Sequence, residues 1–173
     1  MYLVSIYFDE KTNDIIKRHI NQVAEHTGNT FMIDAKVPPH ITISAFETRE
    51  EGVAIEALEP AVSQLTTGTI TWASVGQFFP YVLYLAPVLN KYLHQTSVHI
   101  FESLSAKKEI SVNKYYQPFQ WMPHTTIGKK LRIEEMRTAF AVLQNSFRVF
   151  DGAVTEIGLA KPNPHRDIIR WKI

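Results

Sequence analysis

The chain has 173 residues, a formal net charge of +1, 45% hydrophobic and 20% charged residues, and no cysteine. That balance is ordinary for a globular protein and excludes disordered and fibrous classes. It also excludes disulfides, thiolate zinc sites and a cysteine nucleophile. No apolar run approaches the roughly 18 residues needed to span a bilayer. The charge lacks the basic excess of proteins that clamp long duplexes, so no long duplex partner is expected and any nucleic-acid partner should be short, single-stranded or a nucleotide. The N-terminus, Met1-Tyr-Leu-Val-Ser-Ile-Tyr-Phe-Asp-Glu10, lacks the basic-then-apolar layout of a signal peptide. A single cytoplasmic domain over residues 1–173 is therefore expected.

Residues Tyr2–Phe8 alternate and are rich in β-formers, which predicts a strand. Asp9 or Thr12 is placed to cap a helix whose apolar positions Ile15, Ile16, Ile20, Val23 and Ala24 recur at helical spacing, and Gly28 is placed to end it. In Val37-Pro-Pro-His-Ile-Thr-Ile-Ser-Ala-Phe46 the prolines forbid a helix and the β-branched run favours a strand. Thr48-Arg-Glu-Glu51 has capping-box spacing before a helix that Pro60 should kink or restart. Gly68–Phe79 reads as a long strand.

The second half repeats that order. Tyr81–Leu85 is a strand, and Leu89, Leu93, Thr96, Ile100 and Leu104 form a helical stripe. Trp121-Met-Pro-His-Thr-Thr-Ile127 is again a proline-led β segment. Ile133, Met136, Phe140, Leu143 and Phe147 mark a further helix, Arg148–Ala160 a closing strand, and Ile168–Ile173 a last one. Lys107–Gln120 has no clear periodicity and is expected to be a flap. These elements predict an α+β fold of two pseudo-symmetric lobes, roughly 1–80 and 81–173. Each should be an antiparallel sheet with outer helices, and the two should face a central cleft.

The two proline-led strands read Pro39-His40-Ile41-Thr42-Ile43 and Pro123-His124-Thr125-Thr126-Ile127. Alternate side chains of a strand share a face. His40 and Thr42 should therefore lie together, with Ser44 and Phe46 beyond, and likewise His124 and Thr126, with Gly128 and Lys130 beyond. In-line displacement at phosphorus needs a base on the attacking oxygen and an acid on the leaving oxygen, on opposite sides. Histidine titrates near neutrality and suits both roles, while threonine hydroxyls donate to the non-bridging oxygens. No metal or cofactor is required. One His-x-Thr would mean little; two copies of Pro-His-x-Thr-Ile in a chain with seven histidines should arise by chance in roughly one per cent of sequences or fewer.

The paired segments resemble those of the 2H phosphoesterase superfamily, which includes 2′-5′ RNA ligase-like proteins. Gly76-Gln-Phe-Phe-Pro-Tyr-Val-Leu-Tyr-Leu-Ala-Pro87, followed by a helix holding Leu93-His94, also looks like the middle of those proteins. The resemblance implies a hydrolase acting on 2′,3′-cyclic phosphates or 2′-5′ linkages of short RNA or nucleotides, with ligation as the reverse reaction. It assigns catalysis to His40 and His124 and phosphate binding to Thr42 and Thr126.

Parity adds Phe46 as a candidate for stacking on a base and Lys130 as a candidate phosphate cation. Aromatics Phe78, Phe79, Tyr81, Tyr115, Tyr116 and Trp121 are placed for core packing first. His19 and His26 read as solvated surface, His94 and His99 lack metal-ligand spacing, and His165 reads as a loop residue at the edge of a site. Two other readings stay open: a non-catalytic RNA- or nucleotide-binding module, and a metal protein using His40 and His124, against which the lack of a nearby Asp or Glu speaks.

Overall fold

The fold is described by a computed structural model covering residues 1–173. Strand β1 (Tyr2–Phe8) leads into helix α1 (Glu10–Thr27) and the single turn α2 (Phe31–Asp34). Strand β2 (Ile41–Glu47), helix α3 (Glu51–Val62) and the hairpin β3 (Gly68–Phe78) and β4 (Val82–Pro87) follow. Then come α4 (Lys91–Ser105), β5 (Ser111–Val112), β6 (Thr125–Lys129), α5 (Ile133–Ser146), β7 (Phe150–Pro162) and β8 (His165–Lys172). No helix is long and apolar enough to cross a membrane.

Local chemistry sets the helix ends. Asp9 caps α1 by accepting from the Thr12 N–H at 2.7 Å, and Gly28 closes it in the left-handed region at φ 73°. The capping box expected at Thr48 does not form; Glu50 is the N-cap of α3, with no side-chain bond. Nor does Pro60 end α3, which runs two residues further to Val62. Pro60 is exposed and in the last turn, where the bond it removes is one of few left to lose. The 107–120 stretch is more regular than its sequence: β5 pairs with β2, and Asn113 caps a 3-10 turn over Lys114–Tyr116.

All eight strands join one antiparallel sheet in the order β5-β2-β1-β7-β3-β4-β6, with β8 also on β7. The 13-residue β7 organises it. One edge carries β1 over residues 154–160, and the other carries β3 over 150–154 and then β8 over 156–162. The sheet thus has two halves sharing a strand. The lobes expected at 1–80 and 81–173 exchange elements: β3 pairs with β4 and β7, not with β1 or β2, and the C-terminal β7 lies on β1. The helices follow suit. α1 packs on α5 and β6, while α4 packs on α3 and β2. Sequence periodicity reports elements, not their partners, so a long-range exchange of this kind leaves no local signal.

One sheet face is buried under the helices. Val4, Ile6, Phe8, Leu83, Leu85, Ile157 and Leu159 pack there against Ile16, Leu58, Leu93, Ile100 and Leu143. Trp72 is fully buried in this layer, stacked on Phe150 with centroids 4.9 Å apart, and its indole donates to Thr125 Oγ1 at 3.0 Å. The other face carries the polar residues of the motifs.

Candidate active site

His40 and His124 stand immediately before β2 and β6 and are both half-buried. They are held alike. Nδ1 of His40 is 2.8 Å from the Pro38 carbonyl oxygen, and Nδ1 of His124 is 2.9 Å from that of Met122. A carbonyl only accepts, so each neutral imidazole keeps its proton on Nδ1 and leaves the Nε2 lone pair free. Burial is the first cause that lowers the proton affinity of both rings, opposed in each by the carbonyl bond. His40 is lowered further by the charges of His165, His124 and Arg170, in that order.

The threonines lie on the same face. Thr42 pairs with Ser5 of β1, whose hydroxyl donates to Thr42 Oγ1 at 3.4 Å. That contact leaves the Thr42 proton free to donate elsewhere. Thr126 pairs with Tyr84 of β4 and is half-buried. Trp121 ties the two motifs together: its indole Nε1 donates to the Thr42 carbonyl at 2.9 Å, three residues before His124.

Aromatic rings wall both histidines. Phe78 and Tyr84 lie 4.8 and 5.6 Å from His124, and Tyr7 lies 6.1 Å from His40. Each tyrosine passes over a glycine. A Cβ on Gly76 would fall 2.4 Å from the Tyr84 ring, and one on Gly158 would fall 3.0 Å from Tyr7. Arg170 of β8 reaches over Gly158 to set its guanidinium carbon 3.7 Å from the Tyr7 ring centre. Glu156 Oε2 accepts from its Nη1 at 3.4 Å, Asp167 Oδ2 forms an ion pair with its Nη2 at 2.9 Å, and the other oxygen of Asp167 lies 3.3 Å from His165 Nε2, which makes no hydrogen bond. No three His, Asp or Glu side chains are arranged to hold a metal ion. A concavity of about 580 Å³ lies elsewhere, along α4 beside Tyr92, His94 and His99.

Phe46 and Lys130 are not at this site. Val4 pairs with Ser44 but Ser5 pairs with Thr42, so Ile43 is an extra residue. Leu83 pairs with Gly128 but Tyr84 with Thr126, so Ile127 is extra in the same way. A bulge at the isoleucine of each Pro-His-x-Thr-Ile segment reverses the parity of everything after it. Phe46, 1% exposed, therefore stacks on Tyr2 in the core at 5.5 Å. Lys130 lies past the end of β6 at φ 57°, where strand alternation no longer applies, and its ammonium stands 4.6 Å from the Phe31 ring centre. Trp121 is also core, and His19, expected at the surface, is buried against Phe147. Tyr7, Tyr84, Ser5 and Arg170 carry no motif. The sequence signal for the first three is their alternation with apolar residues in β1 and β4, to which Tyr84 adds its place in the Gly76–Pro87 stretch.

The profile of the 2′-5′ RNA ligase superfamily matches residues 13–166. The chain belongs to that superfamily. A crystal structure of a phosphoesterase shares the fold with a TM-score of 0.63 and 17% identity, over 99% of this chain and 97% of that one. Escherichia coli LigT complexed with 3′-AMP gives 0.63 and 14% over the same shares. Usb1 of Kluyveromyces marxianus gives 0.52 and 12%, again over 99% and 97%. No curated protein matches by sequence. Membership of the 2′-5′ RNA ligase superfamily accords with the paired motifs and supports a phosphoesterase or RNA-processing role.

Proposed function

We propose that this protein is a metal-independent phosphodiesterase that opens 2′,3′-cyclic phosphates, or cleaves 2′-5′ linkages, at the ends of short RNA or nucleotides in the cytoplasm. The carrying observation is the matched pair of Nδ1–carbonyl bonds, which leaves the Nε2 lone pair of each motif's neutral imidazole available for proton transfer. One neutral imidazole takes a proton from water as its oxygen attacks phosphorus. The other, protonated on Nε2, gives its proton to the ribose oxygen as the P–O bond to it breaks. Thr42 and Thr126 donate to the non-bridging oxygens, where negative charge is held. The same ring opening with a ribose 5′-hydroxyl in place of water gives a 2′-5′ linkage, so one site serves ligation as well.

The test is turnover of nucleoside 2′,3′-cyclic phosphates and 2′-5′ dinucleotides in excess chelator. Hydrolysis that persists under chelation and disappears in the His40→Ala, His124→Ala double variant is expected. Binding without turnover would replace the reading with a nucleotide-binding module, and activity lost to chelator and restored by a divalent ion would remove its metal-independent mechanism.

A further inference from the structure

The segment that leads into His40 is also the wall of a cavity. About 350 Å³ of space lies between α1 and the turn α2, floored by Ile20, Met32 and Ile33 and closed by Val37, Pro38 and Pro39. That is the small end of ligand-binding cavities, which are mostly apolar with a few polar groups that orient the ligand. Ile33 is 43% exposed, so part of this apolar floor still faces water.

The polar groups are Lys17 and Asn21, one turn apart on α1, and Lys36. Both lysines are exposed and neither is in an ion pair; the paired lysines are Lys107 and Lys161. Asp34, two residues before Lys36, is engaged by the Thr30 hydroxyl at 2.6 Å. Lysine stems lie along apolar surface and keep the ammonium in water. The cavity therefore joins an apolar floor to two uncompensated positive charges.

Its wall is stiff and ends at the catalytic motif. Lys36 follows α2 at φ 52°, in the left-handed region, and its N–H donates to the Ile33 carbonyl at 3.2 Å. Val37 and Pro38 each precede a proline, which confines them to extended backbone, and the rings of Pro38 and Pro39 fix their own φ. A shift of the wall passes along this bar with little to absorb it. The Pro38 carbonyl is the acceptor that holds His40 Nδ1 at 2.8 Å.

We propose that the cavity is an effector site for a small carboxylate with an apolar tail, seated on Ile20, Met32 and Ile33 with its charge between Lys17 and Lys36, and that occupancy adjusts His40 through Pro38. The tail matches the floor and the negative charge matches the lysines, whereas a nucleotide would lay its polar ribose on apolar side chains. The effect on turnover rests on the phosphodiesterase reading; binding, and its reach to the His40 ring, do not.

Calorimetry compares octanoate, acetate and octylamine on wild type and on the Lys17→Gln, Lys36→Gln double variant, with circular dichroism melting to verify folding. Octanoate should bind wild type. Acetate, which lacks the tail, should bind at least about tenfold more weakly, and octylamine, with the charge reversed, should also bind more weakly. The double variant should lose roughly two- to thirtyfold in octanoate affinity. Equal binding of octanoate and octylamine, or an octanoate affinity unchanged in the double variant, is apolar adhesion only and overturns the site. Nitrogen–proton NMR of the His40 imidazole reads the coupling without substrate: its signals should move with octanoate in wild type, and signals that stay in place overturn the effector role. Turnover of a cyclic phosphate is read separately. Octanoate-responsive His40 signals in a protein without turnover keep the site and remove the phosphodiesterase reading, and turnover indifferent to saturating octanoate does the reverse.

Discussion

The indole of Trp121 donates to the backbone carbonyl of Thr42 at 2.9 Å, joining the segment that ends in His124 to the strand that follows His40. Trp121 is 9% exposed, so removing the donor strands a buried acceptor. Trp121→Phe should cost about 1–3 kcal/mol in stability and should lower kcat more than it raises KM, because the histidines lose their common anchor. Denaturant melts and steady-state kinetics check both. An unchanged kcat in a destabilised variant would make the bond purely architectural.

His40→Ala and His124→Ala should each cost on the order of 10²–10⁴ in rate, the usual worth of a general acid or base. The double variant should lose far less than the product, since the two act as one unit. Thr42→Ala and Thr126→Ala each remove one bond to a charged oxygen, worth roughly 1.5–3 kcal/mol, and should lose about ten- to a hundredfold. Initial rates on one cyclic phosphate rank all five variants.

Burial is the largest cause drawing His40 and His124 below the ordinary 6.5. A pair that must be half-protonated works best between its two apparent values, so kcat/KM should be bell-shaped with its maximum below pH 6.5. The same shifts set acid stability. Folded His19, His40 and His124 bind protons less readily than in the unfolded chain, so the unfolded state gains protons first as pH falls. Their contribution is fully present above 6.5 and is lost below it, down to the folded-state values. Thermal melts across pH 5 to 8 should decline on the acid side. A flat response would contradict the burial of these rings.

Gly76→Ala should displace the Tyr84 ring, which a Cβ would meet at 2.4 Å. Such overpacking typically costs about 1–3 kcal/mol, and with Tyr84 moved the wall beside His124 shifts. Gly158→Ala is milder, since its nearest contact is 3.0 Å. The kcat/KM ratio of the two variants, each against wild type, should place Gly76→Ala lower.

Elements and motifs were legible because helix caps, apolar periods and the proline-histidine segments act locally: Asp9, Gly28, Ile16 and Leu143 all serve as their sequence context predicts. The histidine and threonine parity reads correctly for two residues and then fails. The bulges at Ile43 and Ile127 come from strand pairing, and nothing in either segment announces them. Phe46 departs from the motif face at that step, and Lys130 departs because β6 ends at Lys129. Arg170 was invisible for a different reason: it enters by a strand that pairs only with β7, and an isolated arginine has no period. His19 reads as polar until Phe147 and Phe150 are brought against it by the tertiary fold.

β7 also dictates the order of assembly during synthesis. Its residues 154–160 are the central partners of residues 3–8, and its residues 150–154 hold β3. Until a ribosome has released β7, β1 has one open edge and β3 lacks its inner neighbour. Unpaired edges of that kind invite intermolecular pairing. Nascent chains stalled before β7 should therefore stick to one another or to chaperones, and the two halves of the sheet come into register only once β7 threads between them.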